Sequence, residues 1–212
     1  IFFSFMPPLE NTNPLPIPWQ PIPIYSLDYK SDNLIVQKRK CPKYDEVFDE
    51  VLNSEEVRKM DEDNKQLYRI LSLHTGENVS SLLAVELLHD TLQAEKIAGW
   101  ELPDWTEGIF PSKTLPIAEF YVKLITKTPF MKRIKAGPLA TEIIENMSAN
   151  KNRMPSERAI NIYAAHDITL INLMNSMGFI DQTSTKPDFA SALAIELHQS
   201  HSGIDMDVKI YD

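Results

Sequence analysis

Cysteine occurs once in 212 residues, at Cys41, so the chain closes no disulfide within itself and is not a small disulfide-stapled scaffold. No apolar run approaches the roughly 18–20 residues that a membrane-spanning helix needs. Excess positive charge is lacking too: the net charge is −9 and the pI is near 5.1, which argues against a general nucleic-acid binder. Internal repeats and low-complexity tracts are also missing. The opening Ile1-Phe2-Phe3-Ser4-Phe5-Met6 is shorter than the roughly 7–15 apolar residues of a signal-peptide core, carries no basic flank, and follows no initiator Met. We therefore expect an internal piece of a longer protein, whose compartment absent signals do not report.

What is present is a hydrophobic content of 43%, enough for a sizeable core. Seven of the fifteen prolines fall in the first 23 residues, and Pro14, Pro16, Pro18, Pro21 and Pro23 forbid a helix there. Trp19, Ile22, Ile24 and Leu27 among them suggest a sheet-edge strand. Lys38-Arg39-Lys40 reads as a solvated turn, and Cys41-Pro42 as a turn around a small buried hydrophobe. From Tyr44 the period becomes helical: Tyr44, Val47, Phe48, Val51 and Leu52 share a face. Leu67, Ile70 and Leu71 mark a second helix, and a third is expected from near Asn78 through Leu88. After a loop at Pro103, Trp105, Gly108 and Pro111, two more helices are expected through Ile117–Leu124 and Leu139–Met147. Residues 193–198 and 206–211 read as strands with a turn at Ser202-Gly203. The order predicts an α/β sheet domain from residues 1–43 and 151–212, with a mainly helical domain inserted over 44–150.

Asn161-Ile162-Tyr163-Ala164-Ala165-His166-Asp167-Ile168-Thr169-Leu170 organises this pattern. An apolar run reads as a buried strand ending at Ala165, and a helix follows from Ile168 to a stop at Gly178. A polar pair at such a break lies at the carboxyl edge of a sheet, where ligands bind in open α/β folds, beside a helix N-terminus that favours anions. Of the five histidines, His198 and His201 belong to a terminal hairpin facing solvent, and His74 before Gly76 suits a structural role at a helix end. His89-Asp90 and His166-Asp167 remain. Each pair can bind a metal, or divide phosphate contact and proton donation between its members. His166 as a hydrogen-bonded turn residue and Asp167 as a helix cap fit the same residues. Asn78-Val79-Ser80 and Asn146-Met147-Ser148 are glycosylation sequons.

Tyr163-Ala164-Ala165-His166-Asp167-Ile168-Thr169 resembles the second signature of the histidine acid phosphatases of lysosomal, prostatic and insect venom type. Trp19-Gln20-Pro21-Ile22-Pro23, Cys41-Pro42, Leu102-Pro103-Asp104-Trp105 and Glu196-Leu197 are similar to further tracts in that family's order. The resemblance implies a phosphoglycerate-mutase-like α/β fold with a helical insertion, here truncated at both ends. It also implies phosphomonoester hydrolysis in acid through a phosphohistidine, with no metal and no cofactor. Asp167 would protonate the leaving alcohol and His166 would hydrogen-bond the phosphate. Substrates would be small phosphomonoesters or phosphoproteins, the compartment secretory or lysosomal, and a homodimer a common assembly. The family's nucleophile lies in an Arg-His-Gly-x-Arg-x-Pro segment, and no Arg-His-Gly occurs here. Arg39, Arg58, Arg69, Arg133, Arg153 and Arg158 match none of its phosphate-binding arginines, and the partner implied for Cys41 lies in a tail beyond this chain. The expectation is an inactive fragment of an acid phosphatase. The alternatives are a phosphatase-like binding or allergen protein without a nucleophile, and a metal-dependent phosphohydrolase using His74, His89-Asp90 and Asp104.

Overall fold

The computed structural model describes residues 24–151, 160–178, 186–199 and 206–211. Helices dominate them. Helix α1 (Pro42–Leu52) starts with proline in the first turn, where the missing N–H costs nothing, so Cys41-Pro42 opens a helix rather than a free turn. Cys41 is a half-buried free thiol at its N-cap. Helix α2 (Glu55–Thr75) is capped by Ser54, whose hydroxyl accepts from the Val57 N–H at 3.4 Å. It stops at Gly76, which takes the left-handed φ of 75° that glycine adopts without strain. The third helix, α3 (Leu82–Ile97), begins at Leu82 and not near Asn78 because the Ser81 hydroxyl caps it, accepting from the Ala84 N–H at 3.2 Å. A 3₁₀ turn (Asp104–Thr106) precedes α4 (Leu115–Leu124), followed by α5 (Pro129–Lys135), α6 (Gly137–Lys151) and α7 (Asp167–Met177). The short α5 escapes the periodicity because seven residues hold too few apolar positions to define a face. No helix among the described residues is long and apolar enough to cross a membrane.

Two strands, β1 (Ala194–Gln199) and β2 (Met206–Tyr211), pair antiparallel with Ala194 opposite Tyr211. They form the one sheet among the described residues, so the expected α/β sheet domain is represented there by a two-stranded ribbon. The segment ending at Ala165 is in no regular element and joins no ladder, and Ile160 and Ile162 are 68% and 50% exposed, not buried. Apolar composition makes a strand only where a neighbour offers backbone partners, and among the described residues none lies alongside. Residues 24–28 likewise form no strand, whereas Trp19-Gln20-Pro21-Ile22-Pro23, Ser202-Gly203 and His201 fall outside the described residues. The basic triplet Lys38-Arg39-Lys40 is exposed as expected of a solvated turn.

Two apolar clusters meet on α4. Ile117 and Leu124 join Val57, Leu67, Leu71, Val79, Leu82 and Val85 from α2, α3 and their connection. Val122 packs on Ile171 and Met174 of α7. Helix α7 is also seated by a polar loop. Asp32, only 6% exposed, accepts from the backbone N–H groups of Leu34 and Ile35 at 2.8 and 2.9 Å. The folded loop aims the Ile35 carbonyl at the Thr169 hydroxyl, which donates to it at 2.8 Å. It also aims the Gln37 carboxamide at Asn172, whose Nδ2 donates to Gln37 Oε1 at 2.8 Å. Gln37 holds a left-handed φ of 56°, and the Lys135 ammonium donates to its carbonyl at 2.9 Å. A buried pair of this kind is costly to break because the surviving partner keeps its desolvation penalty. Gln37→Ala is expected to lower stability by about 1–3 kcal/mol, read as an earlier urea midpoint with unchanged slope.

Candidate active site

Asp167 is the first residue of α7, and His166 is its N-cap in an extended conformation (φ −105°, ψ 161°). Thr169 holds the cap together: its hydroxyl accepts from the His166 N–H at 3.4 Å while donating to the Ile35 carbonyl. The turn is therefore pinned from outside the helix, through the loop that Asp32 organises. Asp167 Oδ1 accepts from the Ile168 N–H at 2.7 Å. Its side chain is 43% exposed and borders a cleft of about 1550 Å³ that His166, His89, Asp90 and Lys186 also line. An anionic group at the first turn of a helix lies in the favourable field of the dipole, and so does an anionic ligand placed there.

Across the cleft, α3 turns one polar stripe inward. Glu86, His89 and Asp90 share the face that carries Leu82 and Val85, which is buried against the core. Between α3 and α7 sits Lys186, whose side chain is only 9% exposed. Its ammonium donates to Glu86 Oε1 at 2.8 Å, lies 2.8 Å from Asp90 Oδ1 and stands 3.6 Å from Asp167 Oδ2, an ion-pair distance rather than a hydrogen bond. Burial alone would pull the Lys186 ammonium down. The hydrogen-bonded carboxylates of Asp90 and Glu86 outweigh that and hold it above the usual lysine range. Burial pushes the Glu86 carboxyl up, and Asp90 adds to the rise against the pull of Lys186. His89 is pulled below the usual histidine range, first by burial, with Lys186 reinforcing and Asp90 opposing. Its Nδ1 is 2.8 Å from the Thr114 hydroxyl and its ring lies against Phe110, so it forms part of the cleft wall.

The remaining expected residues scatter. His74 stacks on Trp105 with ring centroids 5.4 Å apart. His198 is half-exposed and pairs with Glu196 at 2.7 Å. His74, His89, Asp90 and Asp104 do not converge, and no three His, Cys, Asp or Glu side chains among the described residues are placed to hold a metal. Asn78 is exposed between α2 and α3, whereas Asn146 is half-buried on α6 with its Nδ2 donating to the Tyr163 hydroxyl at 3.2 Å. Sequence reasoning missed Glu86 and Lys186. The signal for Glu86 was an acid on the apolar face of a helix; Lys186-Pro187 carried none, since a lysine before a proline in a Ser/Thr-rich connection reads as loop. A group such as Glu86, whose folded form takes its proton above the ordinary value of 4.5, favours the folded state in acid and withdraws that stability as pH rises past 4.5. Glu86→Gln should therefore gain in melting temperature relative to the wild type as pH increases from 4 to 7, checked by scanning calorimetry at several pH values.

The model of the histidine phosphatase superfamily (branch 2) matches residues 5–211. The chain is 28% identical over 187 residues to the prostatic acid phosphatase of Bos taurus, covering 86% of this chain and 48% of that protein. It is 29% identical over 209 residues to the lysosomal acid phosphatase of Xenopus laevis, covering 97% and 47%, and 26% identical over 209 residues to that of Homo sapiens, covering 96% and 48%. The chain thus spans about half the length of the curated relatives it matches. With a match running almost end to end, this chain belongs to the histidine phosphatase superfamily, branch 2.

Proposed function

We propose that the chain carries the proton-donor half of an acid phosphatase site that hydrolyses phosphomonoesters. The observation that carries the reading is the position of Asp167: a carboxyl at the first turn of a helix, on the rim of a cleft, beside His166 and within reach of one buried ammonium. In the reaction a nucleophilic histidine supplied by polypeptide outside this chain attacks phosphorus. The P–O bond to the alcohol breaks, and Asp167 delivers its proton to the departing oxygen. The phosphoryl group stays on the histidine nitrogen until water attacks it, with Asp167 now accepting the proton from that water. His166 hydrogen-bonds the phosphoryl oxygens, whose charge the α7 N-terminus also favours. The names of the relatives, prostatic and lysosomal acid phosphatases, support this class and a secreted or lysosomal setting. Small phosphomonoesters or phosphoproteins are the substrates we assign, and a homodimer the assembly.

We assign residues 1–43 and 151–212 to the sheet domain and 44–150 to the helical insertion; the helical content of 42–151 supports the second assignment. Asn78, being exposed, is the sequon we assign to glycosylation. Cys41 is assigned a partner outside this chain. Alone, the 212-residue chain is expected to give no repeated turnover of p-nitrophenyl phosphate in acid, because it lacks the nucleophile segment. A longer parent that contains it should turn over, and Asp167→Asn there should lower kcat by about 10²–10⁴-fold on an alkyl phosphate. The loss on p-nitrophenyl phosphate should be smaller, since that leaving group needs little proton assistance. Repeated turnover by the chain alone, or an Asp167→Asn parent with full activity on the alkyl ester, would overturn the reading.

A further inference from the structure

We propose that Lys186 is a positioning residue for Asp167, holding the donor carboxyl at the cleft rim by bridging it to Glu86 and Asp90. This rests on the donor role assigned to Asp167. The geometry supplies the reason. Glu86 and Asp90 face α7 from α3, and without a cation between them Asp167 would meet two like charges across the cleft. Like charges repel at this range, the more so away from bulk water, and would turn the Asp167 side chain outward. The Lys186 ammonium reverses that field. It is anchored at 2.8 Å by each α3 carboxylate, and Asp167 Oδ2 lies 3.6 Å away. Asp167 Oδ1 is engaged by the Ile168 N–H and Oδ2 stands beside the Lys186 ammonium, so each oxygen of the carboxyl has a neighbour that orients it. His89 and His166 also line the cleft.

A bridge of this kind could serve stability alone, and the variants are chosen to separate the two roles. Lys186→Met leaves Glu86 buried without its cation and is expected to destabilise. Glu86→Gln/Lys186→Met removes both charges and should recover most of the melting temperature, because the remaining carboxylate of Asp90 is partly exposed. In the 212-residue chain, amide exchange at Ile168 should quicken in the double variant although global stability is regained, and Lys186→Arg should restore slow exchange. In a parent enzyme on an alkyl phosphate, the double variant should lose about 10-fold or more in kcat with KM little changed, since misplacing a reacting group by an ångström costs on this scale. Lys186→Arg should recover most of that loss.

Recovery of both stability and kcat in the double variant would make Lys186 a structural ion only and overturn the proposal. So would unchanged exchange at Ile168 in the double variant. A wild-type parent without phosphatase activity would instead sink the proposed function, and the exchange measurement on the 212-residue chain would still decide whether Lys186 positions Asp167.

Discussion

A buried ammonium dictates the layout of the cleft. Lys186 is 9% exposed and carries its charge into a space where unpaired ions cost several kcal/mol, so carboxylates must meet it. Two come from α3 and one from α7, which ties a helix of the 42–151 region to the helix that Asp167 opens. The tie is electrostatic and short-ranged, and it depends on α3 and α7 holding their spacing through other contacts. Helix α4 provides these, packing its Ile117 and Leu124 side on the larger cluster and Val122 on α7. On its far side α7 is held by Thr169 and Asn172 through the loop at Asp32–Gln37. The turn at His166-Asp167 is thus clamped between an apolar seam, a hydrogen-bonded loop and an ion cluster.

The clamp explains how an exposed turn becomes a defined site. Residues 160–166 join no ladder and make few buried contacts, so on their own they would not fix the direction of the His166 and Asp167 side chains. Thr169 acts two residues after Asp167: it secures the N-cap backbone and joins it to Ile35 at once. Order at Asp167 is imported from the helix that follows it and from the loop of residues 28–37, more than from the segment that precedes it.

Much of this was legible in the sequence because it is local. The apolar stripes containing Tyr44, Leu67 and Leu82, the stop at Gly178 and a helix after the His-Asp pair all follow from spacing and end signals within one turn or two, although the N-cap is His166 and not Asp167. The resemblance of Tyr163–Thr169 to the acid phosphatase signature pointed to the family that the match over residues 5–211 shows. What spacing could not show is pairing between distant parts. Ile160 and Ile162 have the composition of a buried strand, yet burial depends on neighbours that no local window contains. Lys186 and Glu86 are a hundred positions apart and meet only through tertiary structure, with α3 and α7 each packed on α4. The Gln37–Asn172 contact is still more distant in sequence, and its left-handed backbone gives no sign in a residue type that normally avoids it.

The most direct measurement is a crystal structure, at acid pH, of a parent enzyme containing this chain with vanadate bound in the cleft. Asp167 Oδ2 should lie within hydrogen-bond reach, about 3 Å, of the apical vanadate oxygen that stands for the leaving alcohol, with His166 on an equatorial oxygen. Vanadate bound away from the α7 N-terminus, with Asp167 making no contact to it, would contradict the assignment of the proton donor.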